Sequence, residues 1–167
     1  MPHESAATPP DPYWKLRHTP PTPDEEICHC DPCKQLMLRD SFGDSPLYCV
    51  ACNGEVAPER IGFDARLAED IASWRSVYRS LYLLWLDSGE YEAWAMERLR
   101  DPNGSVNVHG RRIVQRLNEY IRAYYWWFND IGVEGYVPPE HCPVCSGNLA
   151  ACDDRAFKKC DRCSILI

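Results

Sequence analysis

The pattern of apolar and polar residues takes on a helical period near residue 64. From there, six apolar or aromatic residues recur at alternating steps of four and three, which places them on one helix face. They are Leu67, Ile71, Trp74, Tyr78, Leu81 and Trp85. Asp64 is suited to cap the start of this helix, and the Ser88-Gly89 pair is suited to end it. The pattern therefore predicts one long amphipathic helix.

Two shorter helices are predicted after it. One runs from about Glu90 to Arg100, and another begins at Asn107, which can act as its N-terminal cap. The aromatic run 124–128 that follows favours a β-strand, because aromatic residues are enriched in strands. We expect three tryptophans of this middle segment to form the surface on which the rest of the chain packs: Trp74, Trp94 and Trp126.

Four segments follow from this pattern. Seven of the first 23 residues are prolines, so residues 1–24 are predicted to be an extended, disordered arm, in which Tyr13-Trp14 can anchor on the protein body or on a partner. Residues 25–63 form a first cysteine module, with a turn at 43–46 between short strands. Residues 64–135 form the helical middle with its aromatic segment, and residues 136–167 form a second cysteine module.

Eight of the ten cysteines lie in four Cys-x-x-Cys motifs, which form two pairs. The spacing within each pair is typical of a zinc ion held by four thiolates, a structural site with no coordination position left for a substrate. The predicted ligands are Cys30, Cys33, Cys49 and Cys52 in the first site and Cys142, Cys145, Cys160 and Cys163 in the second. Cys28 or His29 is an alternative to Cys30. Iron is an alternative to zinc, because residues 142–147 are similar to a rubredoxin knuckle.

Charge and cysteine content suggest the kind of partner and compartment. The formal net charge is −7, and two four-thiolate zinc centres, each with a net charge of −2, would bring it to −11. Such an acidic chain favours a partner with a basic surface over a phosphate backbone. Ten cysteines without an apolar leader or membrane-length apolar run predict a reducing, cytoplasmic location.

The acidic residues are concentrated near the N-terminus. Residues 1–63 contain five basic and ten acidic side chains, and residues 64–128 are neutral. Four carboxylates crowd the approach to the first cysteine motif and are the candidate protein-binding residues: Asp24, Glu25, Glu26 and Asp31. Because fixed charges accelerate association with an oppositely charged partner, this segment is the predicted recognition surface.

An enzymatic role finds no support in the motifs. The chain has no HExxH, Walker or G-x-S-x-G motif, and no His-x-Glu precedes Cys142 as a zinc deaminase requires. Nucleic-acid binding is the alternative function, through basic residues around the last cysteine motif together with the nearby aromatic run. The candidate residues are Arg155, Lys158, Lys159 and Arg162.

The C-terminal third resembles a known family. Residues 142–147 (CPVCSG) and 157–164 (FKKCDRCS), preceded by Tyr124-Tyr125, are similar to the ribbon of bacterial zinc-ribbon-containing proteins of unknown function that are regarded as candidate nucleic-acid binders. Residues 45–48 (SPLY) also match that pattern. The resemblance covers 60–100 residues, and its one sharp motif is the ribbon. It implies a zinc-ribbon fold and adds some support to nucleic-acid binding.

The sequence as a whole predicts an α+β protein. Two small four-cysteine zinc ribbons flank a central three-helix segment and pack on it, and two structural Zn²⁺ ions are bound. The predicted function is non-enzymatic binding of a basic protein, in the manner of an immunity protein, an antitoxin or an adaptor. The sequence predicts no oligomeric state.

Overall fold

The computed structural model describes residues 21–130, 132, 134–152 and 155–167. They form a mixed α+β structure, which confirms the predicted class. Most of the predicted N-terminal arm, 1–24, lies outside these residues. The helices are α1 (Ala65–Asp87), α2 (Glu92–Arg100) and α3 (Ser105–Leu117), and the strands are β1 (Gln35–Leu38), β2 (Leu47–Cys49), β3 (Arg122–Trp126), β4 (Ala150–Ala151), β5 (Lys158–Cys160) and β6 (Ile165–Leu166). None of the helices in the described part of the chain has the length and apolarity needed to span a membrane.

All six strands belong to one sheet, in the order β2-β1-β3-β6-β5-β4. Strand β3, from the predicted aromatic run, pairs in parallel with β1 on one side and with β6 on the other. The sequence predicted two separate ribbons that flank the helices. The structure instead places the strands of both cysteine modules in one sheet. Because β3 is apolar on both faces, it is suited to a central position with a neighbour on each edge.

One face of the sheet packs against the three helices. Alternate residues of the central strands point to this face, among them Leu36 and Leu38 of β1 and Tyr125 of β3, and all three are fully buried. Trp74 of α1 contacts the Tyr125 ring edge-on at a centroid distance of 5.9 Å. Gly110 lets α3 approach closely, because a Cβ there would lie 2.3 Å from the Tyr125 ring.

The opposite face of the sheet carries a second apolar cluster. Its buried members are Met37, Tyr48, Val50, Tyr124, Cys152 and Leu166. The guanidinium of Arg39 lies 4.9 Å from the ring centroid of Tyr48 and 5.5 Å from that of Trp126. The cluster joins residues of both cysteine modules to β3, so the two modules share a core on this side.

The three tryptophans expected to form one packing surface are in different environments. Trp74 is buried between the helices and the sheet, whereas Trp94 on α2 is 44% exposed. Trp126 lies on the face away from the helices, where its ring contacts Phe157 edge-on at 5.1 Å. The expectation was wrong because the strand period of β3 directs Trp126 and Tyr125 to opposite faces.

The helix caps match the prediction in part. The side chain of Asp64 accepts a hydrogen bond of 2.8 Å from the backbone N–H of Leu67, as an N-terminal cap does. Helix α3, however, begins at Ser105 with Gly104 at the cap position, so Asn107 lies inside the helix and is completely buried. The capping prediction for Asn107 is wrong, and the side chain has a different role.

Asn107 joins three elements of the core. Its amide nitrogen donates to the carbonyl oxygens of Leu99 (3.0 Å) and Asp101 (2.8 Å) at the end of α2. Its carbonyl oxygen accepts a bond of 2.9 Å from the Tyr125 hydroxyl. The side chain therefore supplies donors to helix-end carbonyls that lack a helical partner, and it satisfies a buried hydroxyl.

We predict that Asn107→Ala lowers the free energy of unfolding by about 2–4 kcal/mol, because it leaves buried polar groups without partners. Chemical denaturation of the zinc-saturated protein measures this change. The control is Asn103→Ala, at an exposed position nearby, for which we expect a change within about 0.5 kcal/mol. Equal effects of the two substitutions would contradict the assigned role of Asn107.

Candidate metal centres

The C-terminal cysteines form one four-sulfur group. The Sγ atoms of Cys142, Cys145, Cys160 and Cys163 all lie within 4.8 Å of one another. The Cys145 and Cys160 sulfurs are 3.7 Å apart, which matches the edge of about 3.8 Å expected for a tetrahedron with metal–sulfur bonds of about 2.3 Å. The four predicted residues are thus brought together in a geometry suited to one ion.

Backbone geometry shapes this group. Cys142 donates its N–H to the Gly147 carbonyl at 2.8 Å, and Ser146 donates its N–H to the Cys142 carbonyl at the same distance. Ser146 has a φ of 57°, which turns the chain sharply after Cys145. The hydrogen bond from the Gly147 N–H, together with the neighbouring Cys163 thiol, lowers the pKa of Cys145 to about 7. This knuckle therefore favours a thiolate at Cys145.

The N-terminal module repeats the same local geometry. Cys49 donates its N–H to the Gly54 carbonyl at 2.8 Å, and Asn53, with a φ of 61°, donates to the Cys49 carbonyl at 2.8 Å. The Gly54 N–H then points at the Cys52 sulfur, 3.3 Å away. The sequence signal is a Cys-x-x-Cys motif followed by a small polar residue and glycine, which residues 49–54 and 142–147 share.

The second four-sulfur group consists of Cys28, Cys30, Cys49 and Cys52. It differs from the predicted set in one member, because Cys28 takes the place that the sequence analysis gave to Cys33. Cys30 stays in the group, so neither Cys28 nor His29 replaces it as a ligand. His29 is exposed, and its Nε2 lies 3.2 Å from the Asp24 carbonyl oxygen.

Backbone pairing explains why Cys28, and not Cys33, belongs to this four-sulfur group. Ile27 forms a bridge with Glu55, and the Cys28 N–H donates to the Glu55 carbonyl at 2.8 Å. These bonds hold Cys28 directly beside the 49–54 knuckle. Cys33 comes just before β1, and its Sγ lies 3.7 Å from the Gln35 carbonyl oxygen. Burial and the Cys49 and Cys28 sulfurs raise the pKa of Cys33 to about 12, so it borders the group without belonging to the four sulfurs that lie within 4.8 Å of one another. The regular spacing of Cys30 and Cys33 gave no indication of the Ile27–Glu55 pairing.

The pKa values of the cysteine thiols indicate how a bound cation would change the ionisation of each four-sulfur group. Burial opposes ionisation of Cys28, but the Cys30 N–H, the Cys52 thiol and the Arg60 guanidinium together lower its pKa to about 7. Burial and neighbouring sulfurs raise the pKa of Cys52 and of Cys163 to about 12. Each group therefore favours one thiolate, and a divalent cation supplies the charge that lets all four sulfurs ionise. Both groups are compatible with one structural Zn²⁺ each.

The acidic candidate residues lie beside the N-terminal group. Asp24, Glu25 and Glu26 form a single 3-10 turn, and all three side chains are exposed, as is that of Asp31. The Glu55 N–H donates to the Glu26 carbonyl at 2.8 Å, which fixes the turn against the cysteine knuckle. Arg60, in the same module, donates to the carbonyl oxygens of Cys28 (2.6 Å) and Cys30 (2.5 Å).

The basic candidate residues do not point in one direction. Arg155 donates to the Ala51 carbonyl in the N-terminal module at 3.1 Å. Lys158 and Lys159 are consecutive in β5, so their side chains point to opposite faces of the sheet. Lys159 lies 3.4 Å from the Asp161 carboxylate, and Arg162 is exposed.

A carboxylate offsets the basic charge near the last knuckle. The Tyr124 hydroxyl donates to Asp161 at 2.6 Å, and Arg122 donates to it at 3.1 Å. These contacts, with Lys159, hold the pKa of Asp161 below its usual value. Two of the cations near β3 are thus paired with one carboxylate.

Comparison with models of known families, with curated proteins and with solved structures gave no match. The arguments about function therefore rest on the residues and geometry of this chain.

We predict that exchanging single cysteines will separate ligands from bystanders in the N-terminal module. Cys28→Ser should lower the zinc content of the purified protein from two ions to one, because it removes a sulfur from the four-sulfur group. Cys33→Ser is the matched control and should retain two ions. Elemental analysis after gel filtration under reducing conditions measures both. The reverse result, with zinc lost only from the Cys33 variant, would contradict the assignment.

Proposed function

We propose that this protein is a non-enzymatic binding protein of the cytoplasm, stabilised by two structural zinc ions, which recognises the basic surface of another protein. The observation that carries the proposal is the exposed acidic turn 24–26, fixed beside a four-sulfur group. An immunity-like or adaptor role is consistent with such a surface.

In this proposal the two four-sulfur groups bind zinc and stabilise the fold. Four sulfurs complete the tetrahedron of a zinc ion, so no position remains at which a substrate or water could be activated. Both groups lie at the ends of short strands, which bury too little apolar surface to be stable alone. Zinc binding supplies the missing free energy, and the rigid knuckles then hold nearby surface residues in place.

The acidic side chains of the turn differ from other carboxylates of the same module. Asp40 is buried and paired with Arg75 and Arg79, at 3.0 and 2.8 Å. Glu55 is also buried, where it accepts the backbone N–H groups of Asp44 and Ser45. These two charges are used inside the protein and are not free for a partner.

Asp24, Glu25 and Glu26 form no ion pair with any of the described residues. A zinc ion with four thiolates adds a net charge of −2 within the same knuckle. Fixed negative charge of this kind attracts a basic partner over several ångströms and increases the association rate. This pattern supports a basic protein as the partner.

The alternative function, nucleic-acid binding through Arg155, Lys158, Lys159 and Arg162, receives less support. Arg155 donates to the Ala51 carbonyl, Lys158 and Lys159 point to opposite faces of the sheet, and Lys159 pairs with Asp161. A phosphate backbone requires several cations along one track, since each neutralised phosphate contributes to affinity by releasing counterions. The net charge of −7 adds repulsion.

The test is a triple neutralisation of the turn: Asp24→Asn, Glu25→Gln and Glu26→Gln. We expect the zinc-loaded wild type, immobilised at low salt, to retain basic proteins from the source cell that this variant does not retain. For a partner isolated in this way, the association rate should fall about tenfold or more, while zinc content and denaturation midpoint stay unchanged.

The matched control neutralises three exposed carboxylates on or just after α1: Glu69→Gln, Asp87→Asn and Glu90→Gln. It changes the net charge by the same amount and should keep the wild-type association rate. If both triple variants bind the partner as fast as the wild type, the acidic turn serves only solubility and the proposal fails. If both are slowed equally, overall charge and not the turn controls association, which also refutes it.

A further inference from the structure

A second charged feature lies on the helices, in a part of the chain that the proposed function does not use. Helices α1 and α3 enclose a groove of about 480 Å³, lined by Arg66, Asp70, His109, Arg112, Ile113 and Arg116. Three of the six lining residues are arginines, although the protein as a whole is acidic. A volume of this size is in the range of small-ligand sites.

Helix geometry puts these side chains in two facing rows. On α1, Arg66 and Asp70 are four residues apart and lie one above the other. On α3, His109, Arg112 and Arg116 follow at steps of three and four, so they share one face. Ile113, fully buried between the helices, forms the floor of the groove. Cationic groups therefore line both walls.

Among the residues that the structure describes, one of the three arginines has carboxylate partners. Arg116 donates to Asp70 at 2.5 Å and to Asp64 at 3.4 Å, so its charge is balanced by carboxylates at one end of the groove. Arg66 and Arg112 have no hydrogen-bond or ion-pair partner among the described residues, and both are exposed. The exposed guanidinium groups of Arg66 and Arg112, one on each helix, bring positive charge to the open part of the groove.

We infer that this groove binds a terminal phosphate group of a small molecule. Guanidinium groups bind phosphate oxygens through paired, charge-assisted hydrogen bonds, and two of them on facing walls can hold one dianion between them. A terminal phosphate suits the site better than a phosphodiester chain, because the lining cations lie within one concavity, whereas a phosphodiester chain requires cations along an extended track. The site lies on α1 and α3, apart from the acidic turn, so it is independent of the proposed function.

The experiment is isothermal titration of the zinc-loaded, full-length protein with inorganic pyrophosphate at constant ionic strength. We expect saturable binding to one site. The double substitution Arg66→Gln and Arg112→Gln should weaken it at least about tenfold, because two charge-assisted contacts are lost. The matched control is Arg98→Gln with Arg100→Gln, which removes the same charge on α2, outside the groove, and should keep the wild-type affinity.

Several outcomes would overturn the inference. The absence of saturable binding would do so, and so would an equal loss in the groove and control variants, which would indicate general charge attraction. A second titration uses a short single-stranded oligonucleotide without a terminal phosphate. If it bound more tightly than pyrophosphate and depended on the same two arginines, the groove would be a nucleic-acid contact and not a terminal-phosphate site.

Discussion

The parallel pairing of β3 with β1 and β6 is the constraint on which the rest of the structure depends. It joins two cysteine modules, from opposite ends of the chain, into one sheet. Tyr125 donates its N–H to the Ser164 carbonyl at 2.7 Å, and Trp127 donates to the Leu166 carbonyl at 2.8 Å. Short parallel strands gain little stability by themselves, so the sheet requires support on both faces.

The two faces receive that support in different ways. On the helical face, Tyr125 is buried under Trp74 and hydrogen-bonded to Asn107, so apolar packing and a satisfied polar group act together. On the other face, Tyr124 lies beneath Arg122, whose guanidinium is 4.7 Å from the ring centroid, and its hydroxyl donates to Asp161. Arg122 and Lys159 are thus engaged with Tyr124 and Asp161 on this face of the sheet.

The two four-sulfur groups lie toward opposite ends of this sheet, one at β2 and one at β5. Each group contains the last residue of a strand, Cys49 of β2 or Cys160 of β5. Each group also contains a Cys-x-x-Cys knuckle in which the chain reverses its direction. A metal ion at each end would lock the register of strands that are only two to four residues long on those edges. The acidic turn 24–26 belongs to the first cysteine module, and the arginine-lined groove lies between α1 and α3.

Local patterns in the sequence predicted the local structure well. The helical period of Leu67 to Trp85 and the capping role of Asp64 correspond to α1, and the C-terminal cysteine group has the predicted members. The parts that could not be predicted depend on contacts between distant residues. Cys28 enters its group through a bridge between Ile27 and Glu55, which has no signature in cysteine spacing.

The same reason accounts for the errors in the packing. A sequence shows that β3 is aromatic, but its register against β1 and β6 decides that Tyr125 faces the helices and Trp126 does not. Asn107 has the residue type of a helix cap, and only the proximity of α2 and Tyr125 makes it a buried link. The sequence did not predict a single sheet, because each module contains two Cys-x-x-Cys motifs. These are enough for one four-thiolate site and give no sign that the two modules share a sheet.

Hydrogen exchange of the β3 amides, measured by mass spectrometry with and without a zinc chelator under reducing conditions, tests the central claim most directly. If the two metal groups and β3 form one unit, removal of zinc should accelerate exchange in residues 122–127 together with both cysteine modules, while α1 remains better protected. If β3 kept its full protection while both modules exchanged freely, the ribbons would be independent units, and the account of a single metal-supported sheet would be contradicted.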